Sequence, residues 1–190
     1  MKVRDSGMPE VGYWESLFDV PLILDRMGVD ASVRDLVEFG CGYGTFTLPA
    51  AQRITGRLHA LDMDDVVMKM ARDRAAAAGL GNIKFLQRDF ITEGTGLSDN
   101  SADYVMLFNI LHHEHPLEMT REALRILRPD GKVGAIHWIW SQRTPRGPAL
   151  DIRPKPEAVM SLVRETGFRL VKDTPIELPP WHFGVLASKA

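Results

Sequence analysis

The stretch Asp35-Leu-Val-Glu-Phe-Gly-Cys-Gly-Tyr-Gly-Thr-Phe-Thr-Leu48 constrains this chain more than any other. Asp35–Phe39 reads as a short buried strand. Gly40, Gly42 and Gly44 follow at alternate positions, and Phe46 and Leu48 open an apolar helical stripe. Strand, glycine turn and helix in that order bring a nucleotide-type ligand to the carboxyl end of a strand in an open α/β sheet. Glycines suit such a turn because they adopt backbone angles closed to other residues and let a ligand lie against the main chain. An acid stands on each side: Glu38 before the first glycine, and Asp62 at the end of the next predicted strand.

The spacing narrows the ligand. A dinucleotide fold uses G-x-G-x-x-G, which would put the third glycine at position 45. Thr45 stands there, and the glycine comes one place earlier. A phosphate-cradling P-loop needs Gly-Lys-Ser/Thr, which the chain lacks. The pattern Glu38-x-Gly40-x-Gly42-x-Gly44 instead resembles the first motif of class I S-adenosylmethionine-dependent methyltransferases. Their ligand carries a sulfonium cation and no phosphate, so a neighbouring acid suits it and would repel pyrophosphate.

The resemblance implies S-adenosylmethionine as cofactor, held by Glu38, Gly40, Cys41, Gly42 and Gly44. Asp62, 22 residues after Gly40, stands where a carboxylate accepts two hydrogen bonds from ribose hydroxyls, and Met63 follows it. Asp64 or Asp65 is better placed than Asp62 to cap the next helix. Asp89 and Phe90, after the third strand, match the acid that accepts from the adenine amino group and the apolar neighbour that packs the ring. Asn109, at the end of the fourth strand, completes the cofactor set. Leu127-Arg-Pro-Asp-Gly131 resembles the segment before the family's fifth strand. The likeness runs from about Val33 to the end and is weakest in the first 30 residues and in 138–156.

Composition agrees with one compact α/β domain over 1–190. A formal charge of −2 carries no nucleic-acid-binding signature. The single cysteine, Cys41, excludes an internal disulfide framework and fits a reducing cytoplasm. No apolar run is long enough to span a bilayer, and the start lacks a signal core. A monomer or homodimer without membrane or nucleic-acid partners is expected.

Residues 1–12 read as a loose leader. Trp14, Leu17 and Phe18 share a helical face in a stretch that Pro21 interrupts, giving two short helices or one with a kink. In the resembling family this stretch, about 13–28, is a helical cap over the cofactor; packing on the sheet edge is the alternative. Strands are expected at Asp35–Phe39, Gly56–Asp62, Asn82–Gln87, Asp103–Asn109, Lys132–His137, Phe168–Thr174 and His182–Ala187. Helices fall between them, with Leu117, Leu124 and Leu127 inward on the one that Pro116 starts. The implied fold is Rossmann-like and doubly wound. Its sheet is mostly parallel and seven-stranded, closed by a C-terminal antiparallel hairpin, with helices on both faces.

Methyl transfer by in-line displacement needs orientation and exclusion of water, and a base only where the acceptor atom must lose a proton. His113, or its neighbour His112, is the candidate base at the end of the fourth strand. A metal bound by His112, His113, Glu114 and His115 is disfavoured, because the run lacks the spacing that puts paired ligands on one helical face. Trp14, His112, His137, Trp138 and Arg143 are the candidate acceptor contacts. Residues 138–156 carry two tryptophans, four basic residues and four prolines, and read as a lid-like insertion. Of Trp138 and Trp140, one walls a pocket and the other packs. Arg143, Arg146 and Arg153 are placed to meet an anionic substrate group or simply face solvent. Asn109-Ile-Leu-His departs from the Asn/Asp-Pro-Pro-aromatic motif of amino-group methyltransferases, and one cysteine does not suffice for an arsenite methyltransferase. A small-molecule acceptor of the type 11-like group is the leading expectation. The alternatives are a related fold transferring aminopropyl or another group, or a non-catalytic cofactor-binding subunit.

Overall fold

The computed structural model describes residues 8–190, so the leader expected over 1–12 lies largely outside the described residues. Five parallel strands form the centre: β1 (Leu36–Phe39), β2 (Leu58–Asp62), β3 (Ile83–Gln87), β4 (Ala102–Phe108) and β5 (Leu127–Trp138), in the order β3-β2-β1-β4-β5. The chain leaves β1 towards β2 on one side and leaves β4 towards β5 on the other. A crevice therefore forms at the carboxyl ends of β1 and β4, where the strand order reverses.

Three further strands close the sheet, one more than expected. β8 (His182–Lys189) runs antiparallel to β5, from Lys132↔Ser188 to Trp138↔His182. β6 (Phe168–Leu170) and β7 (Ile176–Leu178) pair with opposite ends of β8 on its other edge. The sheet is thus seven positions wide but eight-stranded. Its last position is split at 171–175, where Pro175 has no N–H to donate to a ladder.

The helices are α1 (Val11–Glu15), α2 (Val20–Arg26), α3 (Thr47–Arg53), α4 (Asp65–Ala77), α5 (Pro116–Ile126) and α6 (Pro156–Thr166). Pro21 sits in the first turn of α2, so it opens a second helix instead of kinking a single one, and Asp19 caps it through Leu22 N–H. Ile23, Leu24 and Met27 pack with Ala50 and Ala51 of α3 on one face of the sheet. On the other face, α5 buries Met119, Ala123 and Ile126 and α6 buries Val159, Met160 and Val163. The inward stripe of α5 is therefore not the expected leucine series. Leu117 and Leu124 are half-buried, and Leu127 already belongs to β5.

Period-two alternation in β1 decides where Glu38 points. Leu36 packs towards α3, Val37 and Phe39 face the other layer, and Glu38 lies with Leu36 on the α3 side. At the opposite, amino end of the sheet, Arg128 of the Leu-Arg-Pro-Asp-Gly segment bridges Asp35 and Asp103. That segment ties three strands together far from the crevice.

Candidate active site

The glycine turn after β1 holds its shape through the backbone. Gly40, Gly42 and Gly44 have φ of +75°, +51° and +79°, a region that strains any side chain. Gly40 and Cys41 N–H both donate to Leu61 O, at 2.8 and 2.9 Å. Asp62 completes the turn: its Oδ2 accepts from Gly42 N–H at 2.8 Å and its Oδ1 from Asp64 N–H at 3.0 Å. The carboxylate expected to meet ribose thus also sets the loop that faces the ligand. Burial pushes the Asp62 carboxyl up, against the backbone donors that pull it down. Asp64, not Asp62, caps α4.

Glu38 lies beneath this turn, 2% exposed, and accepts from Thr47 Oγ1. Burial pushes its pKa up to about 8; the Thr47 hydrogen bond opposes the shift and the nearby Asp62 adds to it. Among the described residues no basic side chain pairs with Glu38 or Asp62. Cys41 is buried, and burial followed by the two acids holds its thiol well above the usual range, so it packs and is no nucleophile.

The other cofactor candidates are spread along the crevice. Met63 is exposed at its rim. Phe90 packs on Phe39 with ring centroids 5.0 Å apart. Asp89 Oδ1 accepts from Ile91 and Thr92 N–H at 3.2 and 3.3 Å, so it also shapes its own turn. Asn109 has φ +58°, and its N–H donates to Ile136 O at 2.9 Å. Both polar atoms of its side chain are buried without a hydrogen-bond partner. Unmatched amide atoms at a strand end fit a polar ligand. A buried acid, Glu38, beside a half-buried one, Asp62, with no countercharge among the described residues, fits a cationic one. The residues present therefore suit S-adenosylmethionine.

Histidines gather beside Asn109. His112 Nδ1 lies 3.2 Å from His137 Nε2. Burial lowers the pKa of His112 to about 4, with the charges of His113 and Arg153 acting in the same direction. His137 is fully buried and likewise held neutral, so it reaches the crevice only through His112. His113 is half-buried, and His115 precedes α5. Among the described residues no three histidine, cysteine, aspartate or glutamate side chains group as metal ligands.

Two expectations for the acceptor side are corrected. Trp138 does not wall a pocket. It is 1% exposed, with Trp14, Phe18 and His182 packed on its ring at centroid distances of 6.2, 5.8 and 4.2 Å. Its cross-strand neighbour His182 and the α1–α2 connection fill that side, and Trp14 joins the same cluster. Arg153 is no anion contact either. It is 7% exposed, and its guanidinium donates to the carbonyls of Ile139 and Pro148 and to Thr144 Oγ1 at 2.7–3.1 Å. It staples the loop 139–155 shut from within. Trp140, 49% exposed, bonds to Leu150 O and lies under Lys155. Arg143 is exposed on the same loop.

Several neighbours of the site went unread in the sequence: Thr47, Arg74, Glu15 and His182. Thr47 carries a weak signal, since it sits one helical turn past Gly44. Arg74 and Glu15 lie 59 positions apart, and only the fold joins them.

The methyltransferase-domain model matches residues 36–131, half of the chain. A ubiquinone/menaquinone biosynthesis C-methyltransferase from Pseudomonas putida is 36% identical over 81 residues, which is 42% of this chain and 31% of that protein. A demethylmenaquinone methyltransferase from Geobacillus kaustophilus is 26% identical over 112 residues, 57% of this chain and 47% of that protein. The matched stretch thus spans less than half of each of these relatives. A crystal structure of an S-adenosylmethionine-dependent methyltransferase from Aquifex aeolicus superposes with a TM-score of 0.83 at 22% identity, over 95% of this chain and 94% of that one. The cyclase SpnF shares the fold with a TM-score of 0.75 at 19% identity, covering 97% of this chain and 84% of that one. With the motif, the crevice and the matched family model in register, the chain belongs to the methyltransferase-domain family, an S-adenosylmethionine-dependent methyltransferase domain.

Proposed function

We propose that this methyltransferase domain moves a methyl group from S-adenosylmethionine to a carbon atom of a small molecule by in-line displacement. The observation that carries the proposal is the pair of acids flanking the glycine turn, buried Glu38 and half-buried Asp62, with no basic partner among the described residues. The named activity of the C-methyltransferase relatives supports carbon as the acceptor atom. The formal charge of −2 supports a small molecule over a nucleic acid, and the free thiol of Cys41 fits the cytoplasm.

Bound in the crevice, S-adenosylmethionine supplies a methyl group on an activated sulfonium leaving group. The chain then has to bind, orient and keep water out. The glycine turn lets the ligand lie on the backbone, Asp62 accepts from its ribose, and Glu38 provides the countercharge. The Asn109 amide offers one donor and one acceptor to the reacting edge. A carbon acceptor must shed a proton in the course of the reaction, and His113, which follows β4, is the base assigned to it in this proposal. His112 is the poorer base, because it is held by His137 and burial lowers its proton affinity. The cap about 13–28 and the loop 139–155 are the segments that exclude solvent.

Labelled-methyl transfer to a cell extract, with the product then identified, tests this. Incorporation into a small molecule is expected, and His113→Ala should reduce turnover about 100-fold or more while cofactor affinity stays within about twofold. Cofactor binding without any methyl incorporation would favour a non-catalytic subunit. Incorporation unchanged in His113→Ala would assign that histidine to structure.

A further inference from the structure

The glycine turn does not stand open. The N-terminal segment lies across it: a Cβ built on Gly42 would come 3.0 Å from Met8 Sδ, and Tyr43 Oη donates to Pro9 O at 3.1 Å. The turn from Cys41 to Thr47 is buried throughout. Beside it stands Arg74 of α4. Its Nη1 donates to Tyr43 O at 2.7 Å, and its Nη2 pairs with Glu15 Oε1 on the last turn of α1. Tyr43 is the residue between Gly42 and Gly44. One planar guanidinium therefore grips the middle of the cofactor turn with one arm and the covering segment with the other. A lysine has no second fixed donor with which to do both.

We propose that Arg74 is a positioning residue that couples closure of the segment Met8–Glu15 to the shape of the glycine turn, so that cofactor exchange requires this clamp to release. The inference rests on the cofactor site assigned above. With the clamp closed, Met8 and Pro9 lie over the ligand-facing side of Gly42 and Tyr43. With the Glu15 arm released, Met8–Tyr13 swings away about Trp14, which stays packed on Phe18 and Trp138, while the Tyr43 arm still supports the turn. The ion pair is about one-third exposed on each side, so breaking it costs little, and with Trp14 anchoring the root of the segment its effect falls on rates of exchange more than on folding.

The test is the dissociation rate of S-adenosylhomocysteine, followed by tryptophan fluorescence with Trp14 at the root of the moving segment. Glu15→Gln keeps the Tyr43 arm and should speed dissociation by about two- to fivefold. Arg74→Lys should do the same. Both variants should raise the KM for S-adenosylmethionine while kcat stays equal or rises. Asp25→Asn is the structural control. It removes the ion pair of Arg53 with Asp25, which links α3 to α2 without touching the turn, and should leave dissociation unchanged. Parent-like dissociation in Glu15→Gln, or equal acceleration in Asp25→Asn, would overturn the proposal while leaving the cofactor site intact. A parent protein that binds no S-adenosylhomocysteine would overturn the site and the clamp together.

Discussion

Cofactor capture should release a proton from Glu38. Burial holds this carboxyl at about 8 in the folded chain, against an ordinary value of 4.5. At pH 7 it is therefore only about one-tenth ionised. A cation bound beside it requires the carboxylate, so binding at pH 7 expels about 0.9 proton and costs about 1.4 kcal/mol, or roughly tenfold in affinity, relative to a fully ionised site. Glu38→Gln removes the titration and keeps an acceptor for Thr47 Oγ1. The assay is titration calorimetry with S-adenosylmethionine at pH 7 in two buffers of different ionisation enthalpy, repeated across pH 6–9. The cofactor's own α-amino group titrates near 7.7–8.0, but it does so equally against both proteins, so the difference between them isolates Glu38. The parent should release close to one proton more than the variant. Equal proton release would refute the reasoning. The unliganded protein gives a second check. A raised folded pKa stabilises fully below 4.5, and that contribution is lost as pH rises through about 8. Glu38→Gln should therefore lose less thermal stability than the parent between pH 5 and 9.

The loop staple and the buried histidines make two more predictions. Arg153→Ala strands the carbonyl of Pro148 and removes one of two donors from Ile139 O, which keeps Ser141 N–H, and should cost about 1–3 kcal/mol in urea unfolding, whereas Arg143→Ala on the exposed face should stay within about 0.5 kcal/mol; equal costs would deny Arg153 its structural role. His182, stacked on Phe18 at 4.6 Å, has its pKa lowered by burial to about 3, so the stability it permits is present above 6.5 and lost as pH falls towards 3. His182→Phe should gain about 2 kcal/mol on the parent between pH 8 and pH 5, read from unfolding at both pH values; no pH-dependent gain would contradict the neutral, buried state.

The elements that punctuate themselves were the most legible. The glycine turn, the Asp64 cap and Pro116 and Pro156 at helix starts are local signals, and each sits where its residue chemistry requires. The five parallel strands followed from apolar runs between such marks. The split edge strand did not, because 168–174 reads as one run and pairing with β8 decides where it breaks. Side-chain roles in the loop 139–155 were unreadable for another reason. A charge on a proline-rich loop looks solvated in sequence, yet Arg153 turns inward because the loop's own carbonyls need donors there. Trp138 was misjudged because strand alternation shows that a residue faces one layer but not whether a partner such as Phe18 fills it. Arg74 and Glu15 meet only through tertiary folding, and no local pattern marks them.

The central claim is that Glu38, the glycine turn and Asp62 hold the cofactor. The most direct measurement is calorimetric titration of S-adenosylhomocysteine into the parent and into Asp62→Ala. Asp62 is asked to accept from ribose and to hold Gly42 N–H, so its loss should cost about 1.5–3 kcal/mol, or roughly 10- to 150-fold in Kd. Saturable binding by the parent with that loss in the variant is the predicted result. A parent that gives no binding heat and no thermal shift, or a variant that binds as tightly as the parent, would contradict it.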